Sequence, residues 1–523
     1  MSTPADTLPA PAKAANLSLL RLAIAVGFVL AVVLLTYLSM GHMSLTIVVA
    51  ASFGAYMAMN IGANDVANNV GPAVGARAMT LFHAVLIAAV FEALGAIIAG
   101  GDVVSTIKGG IIDPAAINDP NTFIWLMMAA LLAGALWLNL ATWMGAPVST
   151  THSIVGGVLG AGVAAAGWDV ANWGTIGSIA ASWVVSPVLG GIIAAAILYY
   201  IKRKIIYQSD LMAASRRIVP ILIGLMAWAF ATYLMLKGLK QIIKVPTGVA
   251  LGVGAATGVA IYVLMRARLA KTTLNLSNDS HGVNKLFTIP LMFAAALLSF
   301  AHGSNDVANA IGPLAAIHDT IMTSTIGGKA PVPLWILILG ALGLSVGLAL
   351  YGPRLIKTVG SEITEIDPTR AYCIAMSAAV TVIIASRLGL PVSTTHVTIG
   401  AVFGVGFMRE FLKSNYERVI EEIRQHHRDQ ESSVSEVEDF LSRFEAAPID
   451  VKDRMLKQLK QRGKAGQTVI SKQERKGLRK VYRKNLVKRS VVMRVIAAWI
   501  ITVPASAFMA AIAFFAIRGA MLP

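Results

Sequence analysis

The chain has 523 residues, 56% hydrophobic and 14% charged, with a mean hydropathy of +0.69. Soluble domains carry about a quarter charged residues, so this composition excludes one and points to a polytopic membrane protein. The net charge of +17 fits Lys and Arg gathered in cytoplasmic loops and requires no nucleic acid. The single cysteine, Cys373, excludes an intramolecular disulfide and any Cys-based metal cluster, and its apolar setting reads as inert packing.

Residues 1–16 are rich in Ala and Pro. The apolar run 19–39 is long enough to span, lacks an A-x-A cleavage site and reads as a retained helix rather than a signal peptide. Further candidate spans are 44–62, 80–100, 123–145, 147–167, 174–200, 217–237, 246–265, 286–303, 332–352, 370–388, 391–408 and 491–517. The stretches 62–72, 147–157, 303–313 and 391–400 are rich in Gly, Pro and polar residues, and are expected to be broken or re-entrant helices. The basic loops Lys202 to Arg217 and Arg266 to Lys285 are expected inside, and so is the Lys/Arg-rich segment 410–490. The segment 102–121, with three Asp and one Lys, is expected outside. Lys237, Lys240 and Lys244 then fall outside, a mild violation of the rule.

Two phrases recur in the same order. Gly62-Ala-Asn-Asp-Val-Ala-Asn-Asn-Val-Gly-Pro72 is answered by Gly303-Ser-Asn-Asp-Val-Ala-Asn-Ala-Ile-Gly-Pro313, and Pro147-Val-Ser-Thr-Thr-His152 by Pro391-Val-Ser-Thr-Thr-His396. Asp65 precedes Ser149 by 84 positions and Asp306 precedes Ser393 by 87. Even the closing helices correspond, Ala181-Ser-Trp183 with Ala497-Ala-Trp499. With the charge-derived sides, the copies have opposite topology. The expected fold is all-α, with two inverted repeats and about 12–13 membrane segments. The expected organisation is an N-terminal tail and extra helix (1–43), a first repeat (44–200) and a linker of two helices (201–285). A second repeat (286–409) follows, then a cytoplasmic insertion (410–490) and a last helix completing that repeat (491–523). Within the insertion, 416–423 and 434–441 look like amphipathic helices. The basic tract Lys472 to Arg489 reads as a solvated flank, with contact to anionic lipid or a regulatory partner as the alternative.

The first phrase supplies oxygen. Asn64, Asp65, Asn68, Asn305, Asp306 and Asn309 lie beside helix breakers, and an unwound turn would add carbonyls. Such an all-oxygen site suits a hard cation such as Na⁺, or a proton on Asp. Asn64 and Asn68 share a face if helical turns continue, as do Asn305 and Asn309. A lone Asn would read as glue between helices; two matched sets read as a site. The second phrase reads as a helix start, whose free amides and positive dipole end bind phosphate-like anions. Ser149, Thr150, Thr151, Ser393, Thr394 and Thr395 add hydroxyls, with ordinary capping as the plainer account. His152 and His396 either contact substrate, titrate with it, or are simply packed. Glu92, in an apolar run, is expected to face the interior and to serve coupling. Arg77 and Lys108 either attract anions or flank a membrane edge. No nucleophile–base pair, nucleotide loop or metal-ligand cluster is legible, so the reading is a carrier, not an enzyme.

At these residues the chain resembles the inorganic phosphate transporter family, which includes eukaryotic sodium–phosphate symporters and bacterial low-affinity phosphate permeases. The likeness rests on both repeated phrases, on Phe91-Glu92 and on Ile107-Lys-Gly-Gly-Ile-Ile-Asp113. It covers 44–266, 286–408 and 491–517. The resemblance implies import of inorganic phosphate through a cell membrane by alternating access, with Na⁺ or H⁺ as co-transported ion and no other cofactor. It implies oxyanion contact by the six Ser and Thr residues, and ion or substrate contact by Asn64, Asp65, Asn68, Asn305, Asp306 and Asn309. Na⁺ would sit at Asn64, Asp65, Asn305 and Asp306. Glu92 matches an acid of sodium-coupled relatives, whereas the acid of their second repeat corresponds to Ala375 here, which leaves the coupling ion open. A sulfate permease, a passive anion channel and a phosphate sensor are the rival readings. A homodimer stays open, the N-terminus is expected inside and the C-terminus outside.

Overall fold

The computed structural model describes residues 11–40, 44–146, 148–238, 245–327, 331–362, 366–428, 434–446 and 489–521, with isolated positions between 451 and 478. Pro147, Lys240, Lys244 and most of the basic tract 472–489 lie outside the described residues. Seventeen α-helices are named here, and the only strand-like pairing among the described residues is one isolated bridge, Ile112 to Ala171. Eleven candidate spans among them are long and apolar enough to cross a membrane. Two more of the 12–13 segments expected stay outside that count by length or composition. Helix α7 (Thr150–Ala166) is too short, and α15 (Thr394–Arg428) carries its apolar start straight into a polar tail without a break at 410.

Helix α1 (Pro11–Met40) packs on α2 (Leu45–Asn64). After a break at Asp65 and Val66 the chain continues as α3 (Ala67–Gly75), then α4 (Leu81–Ala99) and α5 (Gly101–Gly109). The segment 102–121 is thus not a simple outer loop. Val103, Val104, Ile107, Ile111 and Ile112 put their side chains in the core. Helix α6 (Pro120–Met144) and α7 form a hairpin, and α8 (Trp173–Ile201) follows. Helices α9 (Leu211–Tyr233) and α10 (Thr247–Thr272) pack on each other as the linker pair.

The second half repeats this order. Helix α11 (Ser280–Asp306) breaks at Val307 into α12 (Ala308–Thr323), and α13 (Leu334–Glu362) follows. Helices α14 (Pro368–Arg387) and α15 form a second hairpin. Helix α16 (Val434–Ala446) lies in the insertion, and α17 (Arg489–Met521) closes the chain. The pairing crosses between the halves: α2 packs on α13, α11 on α4, α8 on α15, and α17 on α7.

The hairpins turn by the same device. At the first, Ala146 N–H donates to Ala141 O and Gly145 N–H to Thr142 O; at the second, Leu390 N–H donates to Ala385 O and Gly389 N–H to Ser386 O. This is the six-to-one, five-to-two pattern that ends helices with a left-handed residue. Gly145 and Gly389 supply it, at φ 72° and 69°. The open end of the first hairpin lies beside 111–113, where Asp113 N–H donates to Val170 O. The open end of the second lies beside Asn284, whose Oδ1 accepts from Thr369. These neighbourhoods sit at opposite ends of α8, near Trp173 and Ile201 respectively.

Candidate functional site

The two helix breaks and the two hairpin tips meet. In a regular α-helix the Asn68 amide would donate to the Asn64 carbonyl; here it donates to Asp65 O at 3.0 Å, and Asn69 N–H to Val66 O at 3.0 Å. The second break is tightened likewise, Ala310 N–H donating to Val307 O at 3.0 Å. Pro72 and Pro313 lie inside α3 and α12. Having no N–H, they leave the carbonyls four residues back, at Asn68 and Asn309, without their helical donor. The expected breaks are therefore present, but as tightened turns.

The first Asn of each set serves its own hairpin. Asn64 Nδ2 donates to Thr142 Oγ1 (2.9 Å) and Ala146 O (3.2 Å). Asn305 Nδ2 donates to Ser386 Oγ (2.9 Å) and Leu390 O (3.2 Å). The second Asn serves the opposite half. Asn68 Nδ2 donates to Thr395 Oγ1 at 2.8 Å, while Asn309 Nδ2 reaches Thr150 and Thr151 Oγ1 at 3.2 and 3.3 Å. The regular helical turns on which a shared face for each Asn pair depends do not continue through the breaks. The tightened break between them sends them to different partners.

The carboxylates join the halves as well. Asp65 accepts from Thr150 Oγ1 and from Thr395 Oγ1, both at 2.6 Å. Asp306 Oδ2 accepts from Thr394 Oγ1 at 3.1 Å and, at 3.5 Å, from Thr150. All these side chains are buried. Asn68, Asn305 and Asn309 each keep a buried Oδ1 with no hydrogen-bond donor, as does Asp306 Oδ1. Buried acceptors without donors are costly, and a hard cation satisfies such a set as well as a proton does.

Ser149 and Ser393 are caps: their hydroxyls accept from the amides of His152 and His396 at 3.1 and 3.2 Å. The third amide of each hairpin helix is thereby used, leaving the first two without an intrahelical acceptor. The hydroxyls that face the carboxylates are those of Thr150, Thr394 and Thr395, whereas Thr151 donates to Val392 O at 3.0 Å.

His152 and His396 are packed. Their ring centroids are 4.4 Å apart, and each is stacked at 3.6 Å on a tryptophan, Trp183 and Trp499 respectively. The result is a four-ring column between the hairpins. Glu92 is buried, as expected. Its Oε1 accepts from Asn69 Nδ2 at 2.6 Å and its Oε2 lies 2.7 Å from His302 Nδ1. Cys373 is buried and donates to Thr369 O. Lys108 neither faces the site nor flanks an edge; it is buried and paired with Asp319.

The sequence reading missed His302. Its Nε2 lies 3.1 Å from Asp306 Oδ2, so it bridges Glu92 to the site. Asp65, His302 and Asp306 bring ligand atoms within 4.8 Å of one another, a metal-competent group that the reading did not find. The signal was available: the residue before Gly303 is His, where its counterpart before Gly62 is Ile61. Asn69 and the glycines four residues before each capping Ser were missed too.

A multi-pass helical protein with two helix breaks facing two hairpin tips, and a buried, oxygen-lined junction between them, is built as a membrane carrier. Comparison with known proteins identifies the class further. The sequence pattern of the phosphate transporter family matches residues 61–510, and the chain belongs to that family. A chain of Helicobacter pylori (strain J99) named as a phosphate permease is 50% identical over 511 residues, covering 95% of each chain. One of Pyrococcus abyssi, also so named, is 43% identical over 358 residues, 68% of this chain and 87% of its own. A solved structure of a sodium-dependent phosphate transporter matches with a TM-score of 0.74 at 30% identity, covering 92% of this chain and all of that one.

Proposed function

We propose that this phosphate transporter imports inorganic phosphate by alternating access, as a symporter coupled to Na⁺ or H⁺ through Asp65 and Asp306. One observation carries the reading: two buried carboxylates from the helix breaks face the hydroxyls of both hairpin tips. A phosphate anion drawn to the first-turn amides of α7 and α15 would sit against Asp65, Asp306 and, through His302, Glu92. Like charges at such distances in a buried site repel strongly. The anion therefore gains affinity only when a cation or proton offsets the carboxylates, which is the physical basis of coupling. The donor-free oxygens of Asn68, Asn305, Asn309 and Asp306 supply ligands for that cation. When phosphate binds, the Thr150, Thr394 and Thr395 hydroxyls turn from carboxylate to oxyanion.

The halves are read as inverted repeats, because the two hairpins open toward opposite ends of α8. Residues 102–121 are assigned outside; the basic loops, the N-terminus and 410–490 inside; and the C-terminus outside.

The deciding experiment is labelled-phosphate uptake into proteoliposomes with sodium and proton gradients imposed separately. Accumulation against a phosphate gradient is expected with one of them, and should fall to background in Asp65→Asn and Asp306→Asn. Full activity in both variants would remove these acids from the mechanism. Uptake that never exceeds equilibrium would make the protein a channel. Inhibition by sulfate rather than arsenate would change the substrate.

A further inference from the structure

Helix α5 is fastened to the second half of the chain at three points. Lys108 pairs with Asp319 on α12. Thr106 Oγ1 donates to Gly389 O at 2.8 Å, at the turn that leads to Ser393, Thr394 and Thr395. Ile107 packs where Gly312 has no side chain; a Cβ there would come within 2.9 Å of Ile107. The helix thus holds α12, which carries Asn309, and the second hairpin tip together. It does so beside 111–116, at the mouth of the first hairpin.

The ion pair is unusual for its burial, with the Lys108 side chain 10% exposed and that of Asp319 6%. Such a pair repays its desolvation only with good geometry, and removing one partner leaves an uncompensated buried charge. Such a charge favours any conformation that exposes it further to water. His318 also faces the pair, its Nδ1 3.6 Å from Asp319 Oδ1. The device is also one-sided. Asp319 stands seven residues after Gly312, and the residue seven after Gly71 in the first half is Ala78. A symmetric packing requirement would have placed an acid at both.

We propose that Lys108 and Asp319 form the latch of this mouth, a gating pair that holds the carrier closed on the face of residues 102–121. The proposal rests on the alternating-access reading. Since α12 continues from Asn309 to Asp319 over about 15 Å at 1.5 Å per residue, release of the latch frees the outer end of the helix that bears a site residue. Opening of this mouth is therefore linked to the junction without any further element.

The test uses Asn309→Cys as reporter in the full-length chain, since Cys373 is buried. A membrane-impermeant thiosulfonate is applied from the 102–121 face only, with labelling rates compared across latch variants. Lys108→Gln and Asp319→Asn are each expected to speed labelling by about tenfold, the change a modest shift between two conformations gives. The charge-swapped double variant, Lys108→Asp with Asp319→Lys, should return it to the slow rate. Equal rates in all variants would overturn the latch. So would fast labelling in the swapped variant, which would mark a packing effect instead of a charge pair. Reagent from the opposite face separates the two readings. Labelling from that face alone, unchanged by the variants, counts against the latch only. A reporter unreactive from both faces in every variant counts against alternating access itself, and the latch falls with it.

Discussion

His302 connects two carboxylates that would otherwise lie in the same apolar interior without a shared partner. Its ring reaches Glu92 through Nδ1 and Asp306 through Nε2, at 2.7 and 3.1 Å. Asparagine 69 completes the set by donating to the other Glu92 oxygen at 2.6 Å. Glutamine matches the length of histidine but presents its donor on one nitrogen, so it cannot bridge both acids as the ring does. The contact with Glu92 is a hydrogen bond to a charged group, and such a bond contributes about 1.5–3 kcal/mol. His302→Gln is therefore expected to lower the uptake rate by about ten- to a hundredfold, at unchanged membrane yield. Wild-type rates in purified His302→Gln would mean that the bridge is structural decoration. The same local logic applies at Gly303 beside it. A Cβ on residue 303 would collide with the backbone of Glu92, so Gly303→Ala should separate α11 from α4 and reduce the yield of folded protein, whereas surface Gly27→Ala should not.

At the scale of elements, the hairpin tips decide whether hydroxyls and carboxylates meet. Each tip depends on one left-handed glycine, and at Gly145 no atom lies within reach of an added Cβ. Gly145→Ala thus tests backbone conformation alone. The left-handed conformation costs an L-residue about 1–2 kcal/mol, while Asn tolerates it. Uptake should fall in Gly145→Ala and recover in Gly145→Asn; equal loss in both would show that the side chain, not the φ angle, is at fault. These tips also mark what a sequence can disclose. The breaks at Asp65 and Val307 and the helix starts at Thr150 and Thr394 were legible, because breakers and caps act on their own turn. What escaped was set by partners far along the chain. Asn64 and Asn68 share a motif, yet one serves Ala146 and the other Thr395. Lys108 reads as attracting anions or flanking a membrane edge until Asp319, 211 residues away, is placed beside it.

At the scale of the whole molecule, the insertion has an apolar cluster of its own. Ile420, Ile423, Val437, Leu441 and Phe444 form an apolar cluster with Leu456, Leu459, Ile470 and Leu478, apart from the two membrane cores. The amphipathic stretches expected from sequence supply its inward faces. Its contact with the carrier includes Tyr207, partly buried against the cluster, and burial, with a smaller push from Tyr199, raises the phenol to about 12. None of the site residues belongs to this cluster. The Pyrococcus relative is shorter than this chain, which it matches over 68% of the length while being itself covered to 87%. Small clusters of this kind add stability to themselves rather than to a core they do not touch. Replacing 413–488 by a flexible Gly/Ser linker should therefore leave ion-driven uptake close to the full-length rate, with the hairpins still held by α8 and α17. Uptake measured in detergent-purified, monodisperse protein keeps misfolding apart from loss of function. If that protein were folded yet inactive, the insertion would be part of the transport cycle, with the Tyr207 contact between α8 and α9 as its route to the site.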